Sequence, residues 1–134
     1  MPKTIAFATN QHQCDRLIRA AYQIACKTGS QLLIVGVSDS EYALDPQAAD
    51  YLFTEAKKYK STMRMLFTED KTKSMREIIS QPDSLNIVTG MPGCHNSVLY
   101  DLWRDFPDKD FYTVDSSGEV IEVATKESVQ SHTA

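Results

Sequence analysis

Cysteine is scarce in this chain: three in 134 residues, Cys14, Cys26 and Cys94, an odd number with no C-x-x-C spacing. That excludes a disulfide framework and suits a reducing compartment. Long apolar runs are missing too. Nothing approaches the ~18 consecutive apolar residues of a membrane span, and the opening MPKTIAFATN is too short an apolar stretch for a signal peptide. Both absences lead to the expectation of a cytoplasmic protein with no membrane partner. A basic patch is the third absence. The formal net charge is -4, and the lysines of EAKKYK and EDKTKSMRE are interleaved with acids or apolar helix positions, as on a solvated face. No nucleic-acid partner is expected. Catalytic patterns are also lacking: there is no G-x-S-x-G, no paired carboxylates, and no nucleophile, base and orienter at recognisable spacing. Asp101, Asp105, Asp108 and Asp110 cluster, but around a helix end and its loop, where exposure accounts for them. The expectation is binding without turnover.

What the chain does have is an alternation of strand-like and helix-like segments, the signature of parallel α/β architecture. KTIAFAT (Lys3 to Thr9) reads as a buried strand. CDRLIRAAYQIACKTG then sets Leu17, Ile18, Ala21, Ile24 and Ala25 on one helical face, with Cys26 at the core or its boundary and Gly29 as C-cap. QLLIVGV (Gln31 to Val37) is apolar enough for a central strand. Asp45-Pro46 is a helix start, followed by the stripe Ala49, Leu52, Phe53 and Ala56. TMRMLFT (Thr62 to Thr68) alternates as an edge strand does, and TKSMREIIS turns Met75, Ile78 and Ile79 inward before Pro82. SLNIVTG is the fourth strand. NSVLYDLWRDF is the fourth helix, with Val98, Leu99, Leu102 and Phe106 on its buried side. DFYTVD and SSGEVIEVATK form a fifth strand, a turn at Ser117-Gly118 and an antiparallel return.

The fold these segments predict is a Rossmann-like, three-layer α/β/α sandwich: a five-stranded parallel sheet of order 3-2-1-4-5 with an additional C-terminal antiparallel strand. Residues 1–125 are expected to form one domain and 126–134 a frayed tail. Open sheets of this kind bind ligands outside the carboxyl ends of the strands where the order reverses, here between strands 1 and 4. The loops to inspect are therefore TNQHQC and GMPGCHNS. In the second, Gly90-Met91-Pro92-Gly93 can be a plain tight turn. It can equally be an anion cradle, in which loop N–H groups, Asn96, Ser97 and the positive end of the fourth helix hold a charged group. No P-loop lysine accompanies it. The same two loops carry His12, Cys14, Cys94 and His95, types that bind zinc, but His-x-Cys and Cys-His match no familiar ligand spacing and no metal is expected. A redox-sensitive Cys94 at a helix N-terminus is a further alternative.

The stretch IAFATNQHQCDRLIRAAYQIACKTGSQLLIVGV resembles the opening strand-helix-strand of universal stress proteins. It is especially similar to the variant of that domain in the bacterial potassium-sensor kinase. Members of that family that bind ATP use an acid after strand 1, a backbone contact at the end of strand 2, and a G-x2-G-x9-G-[ST] motif after strand 4. By that resemblance the acid falls on Asn10, the strand-2 contact on Val37 and the first two glycines on Gly90 and Gly93; with Thr9 beside Asn10, and Asn96 and Ser97 of the anion cradle, these are the candidate binding residues. The second half of the motif is missing: Trp103 and Arg104 stand where the family has a glycine and a hydroxyl residue.

The resemblance implies a stress-response or signalling protein that binds an adenine nucleotide, ATP or AMP, in the strand 1/strand 4 crevice. The alternative it leaves is a scaffold that has lost nucleotide binding and acts through dimerisation or a protein partner. Tyr112, Val114, Val120, Ile121 and Val123 alternate across the terminal hairpin. They either complete the core or pair with a second copy, and the resemblance implies a homodimer through the C-terminal strands.

Overall fold

The computed structural model describes residues 2–8, 15–38, 46–90, 98–115 and 117–123. Along the chain run β1 (Lys3–Ala8), α1 (Asp15–Thr28), β2 (Gln31–Ser38), α2 (Pro46–Lys58) and β3 (Thr62–Phe67). They are followed by α3 (Lys71–Ile79), β4 (Ser84–Gly90), α4 (Val98–Asp105), β5 (Asp110–Val114) and β6 (Val120–Glu122). The strands form one six-stranded sheet of order β3-β2-β1-β4-β5-β6. All neighbours are parallel except β5 and β6. This is the Rossmann-like arrangement expected from the alternation of elements.

Successive strand residues point to opposite faces, and here both faces are covered. On one side Ala6, Ala8, Leu32, Ile34, Val88 and Val114 pack with Leu17, Ile18, Ala21 and Ile24 of α1 and Leu52 and Ala56 of α2. On the other, Ile5, Phe7, Leu33, Val35, Val37, Ile87 and Phe111 pack with Met75, Ile78 and Ile79 of α3 and Leu102 of α4. Each fully buried Ile or Leu contributes about 1.5–3 kcal/mol, so these two layers are the main source of stability. The small Ala6 and Ala8 face Ala20, Ala21 and Ala25, which lets α1 lie close to the middle of the sheet. Gly36 has a similar reason: a Cβ there would stand 2.5 Å from Met65 Sδ.

Local chemistry sets the ends of the elements. Gly29, at φ 68°, stops α1, and Ser30 N–H returns to Ala25 C=O at 2.9 Å. Asp70 caps α3 by accepting from Lys73 N–H at 3.0 Å, so that helix begins one residue earlier than its apolar pattern indicates. Asp115 is not the end of β5. Its carboxylate accepts from Ser117 N–H at 2.9 Å, Ser117 Oγ at 2.6 Å and Glu119 N–H at 2.9 Å, which folds the turn to β6.

Four side chains depart from the expected core. Cys26 is exposed rather than at the core or its boundary, because it lies one helical step beyond the buried Ala25. Phe53 is half exposed although its stripe partners Leu52 and Ala56 are buried. The inward arc of α2 is completed instead by Tyr51 and Tyr59. In the terminal hairpin, Val114 is buried and Val123 packs on the second cluster, whereas Val120 and Ile121 remain 38% and 43% exposed. β6 is the last strand of the sheet, with no further strand beside it among the described residues.

Candidate functional site

The connections of β1 and β4 diverge at the carboxyl edge of the sheet. From β1 the chain leaves through α1 on one face to β2, while from β4 it leaves through α4 on the other face to β5. The two strands are neighbours, with Ala6 level with Val88, so the reversal of strand order, where open sheets of this kind place their ligand crevice, falls between their carboxyl ends. Gly90 closes β4, pairs with Val114 of β5 and is exposed; a Cβ built on it would find no atom of the described residues within 4 Å. Among the described residues nothing covers this bare backbone at the reversal of strand order. Val37, near the end of β2, is 3% exposed with its side chain in the second core cluster, which leaves its main chain as the part able to meet a ligand.

Val37 and Gly90 therefore both lie at the carboxyl edge, on the strands that flank β1. Thr9, Asn10, Gly93, Asn96 and Ser97 lie outside the described residues, as do His12, Cys14, Cys94 and His95. Among the described residues no group of three or more His, Cys, Asp or Glu is arranged to hold a metal ion.

Trp103 and Arg104, at the positions of the missing half-motif, are within the body of α4. Trp103 packs against the second core cluster and meets Tyr100 edge-to-face at 5.0 Å. Arg104 pairs with Asp101 at 3.1 Å and with Asp105 at 3.3 Å. Asp105 also accepts from Arg76 at 2.8 Å, and Arg76 holds its carboxyl below the usual range. The segment that would form a second phosphate loop is thus a helix anchored on the core.

Hollows elsewhere differ in character. One of about 280 Å³ lies between the C-terminal turns of α1 and α2, beside Tyr22, Cys26 and Tyr59. Another, about 540 Å³, runs along Lys73, Arg76 and Glu77 of α3 beside Phe106. Neither touches Ala8, Val37 or Gly90.

At the amino edge a polar cluster sits inside the sheet, and sequence reasoning missed it. Asn86 of β4 is fully buried, and its Nδ2 donates to Thr4 Oγ1 at 3.1 Å and Thr28 Oγ1 at 3.0 Å. Thr4 Oγ1 meets Ser30 Oγ at 2.6 Å, and Thr28 Oγ1 donates to Ile24 C=O at 2.8 Å. The cluster ties the end of α1 to β1 and β4, opposite the carboxyl edge. Asn86 Oδ1 has no partner among the described residues. The available signal was an amide inside the apolar strand SLNIVTG, since a buried amide needs hydrogen-bonding neighbours.

The fold, with its reversal of strand order between β1 and β4, defines a Rossmann-like α/β protein. No protein-family model matches the chain, and no curated protein matches it in sequence. No described helix is long and apolar enough to cross a membrane.

Proposed function

We propose that this is a small-ligand-binding protein of universal-stress type, which takes an adenine nucleotide into the crevice between β1 and β4 and acts without turnover. The observation that carries the reading is Gly90: bare backbone that nothing among the described residues covers, at the reversal of strand order, where the glycine loop begins. Asn10 would accept or donate a hydrogen bond to the sugar, Val37 would meet the base through its main chain, and Gly93, Asn96 and Ser97 would offer N–H and O–H groups to one phosphate. The helical course of α4 through Trp103 and Arg104 puts a helix where the second half of the motif would cradle further phosphates. AMP should therefore bind as well as ATP. Calorimetric titration with AMP, ADP and ATP tests this: no binding by any of them at millimolar concentration removes the reading, and a clear preference for ATP removes the one-phosphate site. A stress-response role in the cytoplasm belongs to the same proposal.

The second reading is a scaffold that works as a homodimer. It is favoured by the terminal strand, where Val120 and Ile121 are exposed on an open sheet edge. Sedimentation of the chain and of Ile121→Lys decides it. A dimer that the substitution converts to a monomer supports this reading, and a monomer at all concentrations ends it.

A further inference from the structure

We infer that β3 is a self-recognition strand: two copies of this chain join edge to edge through it, antiparallel, in a register that sets Met65 opposite Met65 on the two-fold axis. This is independent of nucleotide binding and concerns the end of the sheet away from β6. Among the described residues no strand lies beyond β3, so on its outer side the sheet leaves backbone N–H and C=O groups unpaired. Edge strands are ordinarily protected by shortness, a proline, a bulge or several charges. β3 has none of these. It runs for six residues, TMRMLF, in unbroken register with β2 from Thr62 to Phe67, and Arg64 is its one charge. None of the six is buried although four are apolar, and Phe67 is 45% exposed. β6, by contrast, has three residues.

The residues of β3 decide which pairing fits. A two-fold axis normal to the sheet keeps each face continuous, so residues directly opposite one another come from the same face. Met63 and Met65 pack against the core cluster of α1 and α2, and Leu66 against that of α3 and α4. Phe67 follows Leu66 and so shares the face of Met63 and Met65. Two registers obey this rule and pair five of the six residues. One sets Arg64 opposite Arg64, like charges in direct cross-strand contact, which is unfavourable. The other sets Met65 opposite Met65, Met63 opposite Phe67 and Arg64 opposite Leu66, which covers the exposed ring and moves the two guanidiniums off one another. The strand ends agree with it. Lys60 precedes β3 and Glu69 and Asp70 follow it, all three exposed, and the second register carries Lys60 of each copy towards the acids of the other. Such a contact uses the same patch on both copies and closes at two.

The test is sedimentation of the full chain, of Phe67→Lys and of Ile121→Lys, with urea unfolding to establish that each variant is folded. The parent should sediment at twice the 15.1 kDa of one chain, Phe67→Lys at the single mass, and Ile121→Lys at the doubled one. Cross-linking gives a readout that does not depend on Phe67→Lys folding. Under mild oxidation Met65→Cys should form a 65–65 bridge, found by peptide mass spectrometry, and Arg64→Cys should form no 64–64 bridge. A parent chain that is monomeric at every concentration overturns the inference. So does a dimer that survives Phe67→Lys and is lost in Ile121→Lys, since that contact is made by β6. A 64–64 bridge without a 65–65 bridge overturns it too, because the strands would then pair in the other register.

Discussion

Replacing Asn86 with aspartate keeps the shape of the side chain and changes its charge, which makes it a sensitive probe of the buried cluster at the amino edge. Asn86 is fully buried, and both of its contacts are ones in which it donates. A carboxyl has one proton to donate and, once ionised, none. Thr28 cannot turn to help without releasing Ile24 C=O, to which its own hydroxyl donates. Three influences oppose ionisation: the absence of water, the negative end of α1 at Thr28, and Asp110, paired with residue 86 across β4 and β5. Buried carboxyls rise by up to 3–5 units from an ordinary aspartate value of about 3.9.

With the folded pKa above the unfolded one, the folded state holds the proton longer, so stability falls as pH rises between the two values. At about 1.4 kcal/mol per unit, the loss between pH 4 and pH 7 reaches roughly 4 kcal/mol. That is a large part of the ~5–15 kcal/mol of a typical domain. Below pH 4 only a lost hydrogen bond remains, about 1 kcal/mol. Urea unfolding of both chains at pH 4, 5, 6 and 7 measures the slope. A difference in stability that does not change with pH would refute the reasoning, since it would mean that the carboxylate finds water or a cation at this site.

Gly36→Ala should forgo the roughly 0.5–1 kcal/mol by which Ala ordinarily improves on Gly within a strand, because the flexible end of Met65 has to move aside. Met65 Sδ would lie 2.5 Å from the new Cβ, so chemical unfolding should show the gain on a Met65→Ala background. Lys60 has φ 51° where α2 ends, and Lys60→Gly should raise stability by about 0.5–1 kcal/mol in the same assay. Asp115 has its carboxyl lowered by the Ser117 hydroxyl and by the N–H of Glu119, so its contribution is present above the ordinary aspartate value and is lost as pH falls through the lowered one. Cross-strand NOEs between Val114 and Val120 should fade in acid, and in Asp115→Asn this pH dependence should vanish. Trp103→Ala removes a partly buried ring and its contact with Tyr100, and should cost roughly 2–3 kcal/mol in urea unfolding.

The architecture was legible because its signals are local and periodic. The apolar runs of β1, β2 and β4 and the helical stripe of α1 each identify an element, and right-handed connection rules leave few orders for the sheet. Helix ends were legible where one residue decides them, as at Gly29 and Pro46. Edge behaviour was legible in the alternation of TMRMLF, since β3 does end the sheet. The place for a ligand at the carboxyl edge followed from the strand order, and Gly90 lies there.

Other features depend on which surfaces meet. The apolar stripe of α2 included Phe53, yet how wide a stripe is covered is set by neighbouring elements, and one flank of α2 is left open. Trp103 read as a departure from a binding motif; only the packing of α4 on the sheet shows that it lies partly buried against the core. Asn86 joins residues 82 and 58 positions away in the chain, and no local pattern reports such a contact. The stem of Arg16 lies against Gly118, a contact across 102 positions that no local pattern reports. The sequence by itself determined the elements, their order and the edge at which a ligand would enter, because hydrophobic period and turn chemistry act over a few residues. Only the tertiary structure decided which polar groups are buried and which apolar ones stay exposed, because those outcomes are set by long-range contacts.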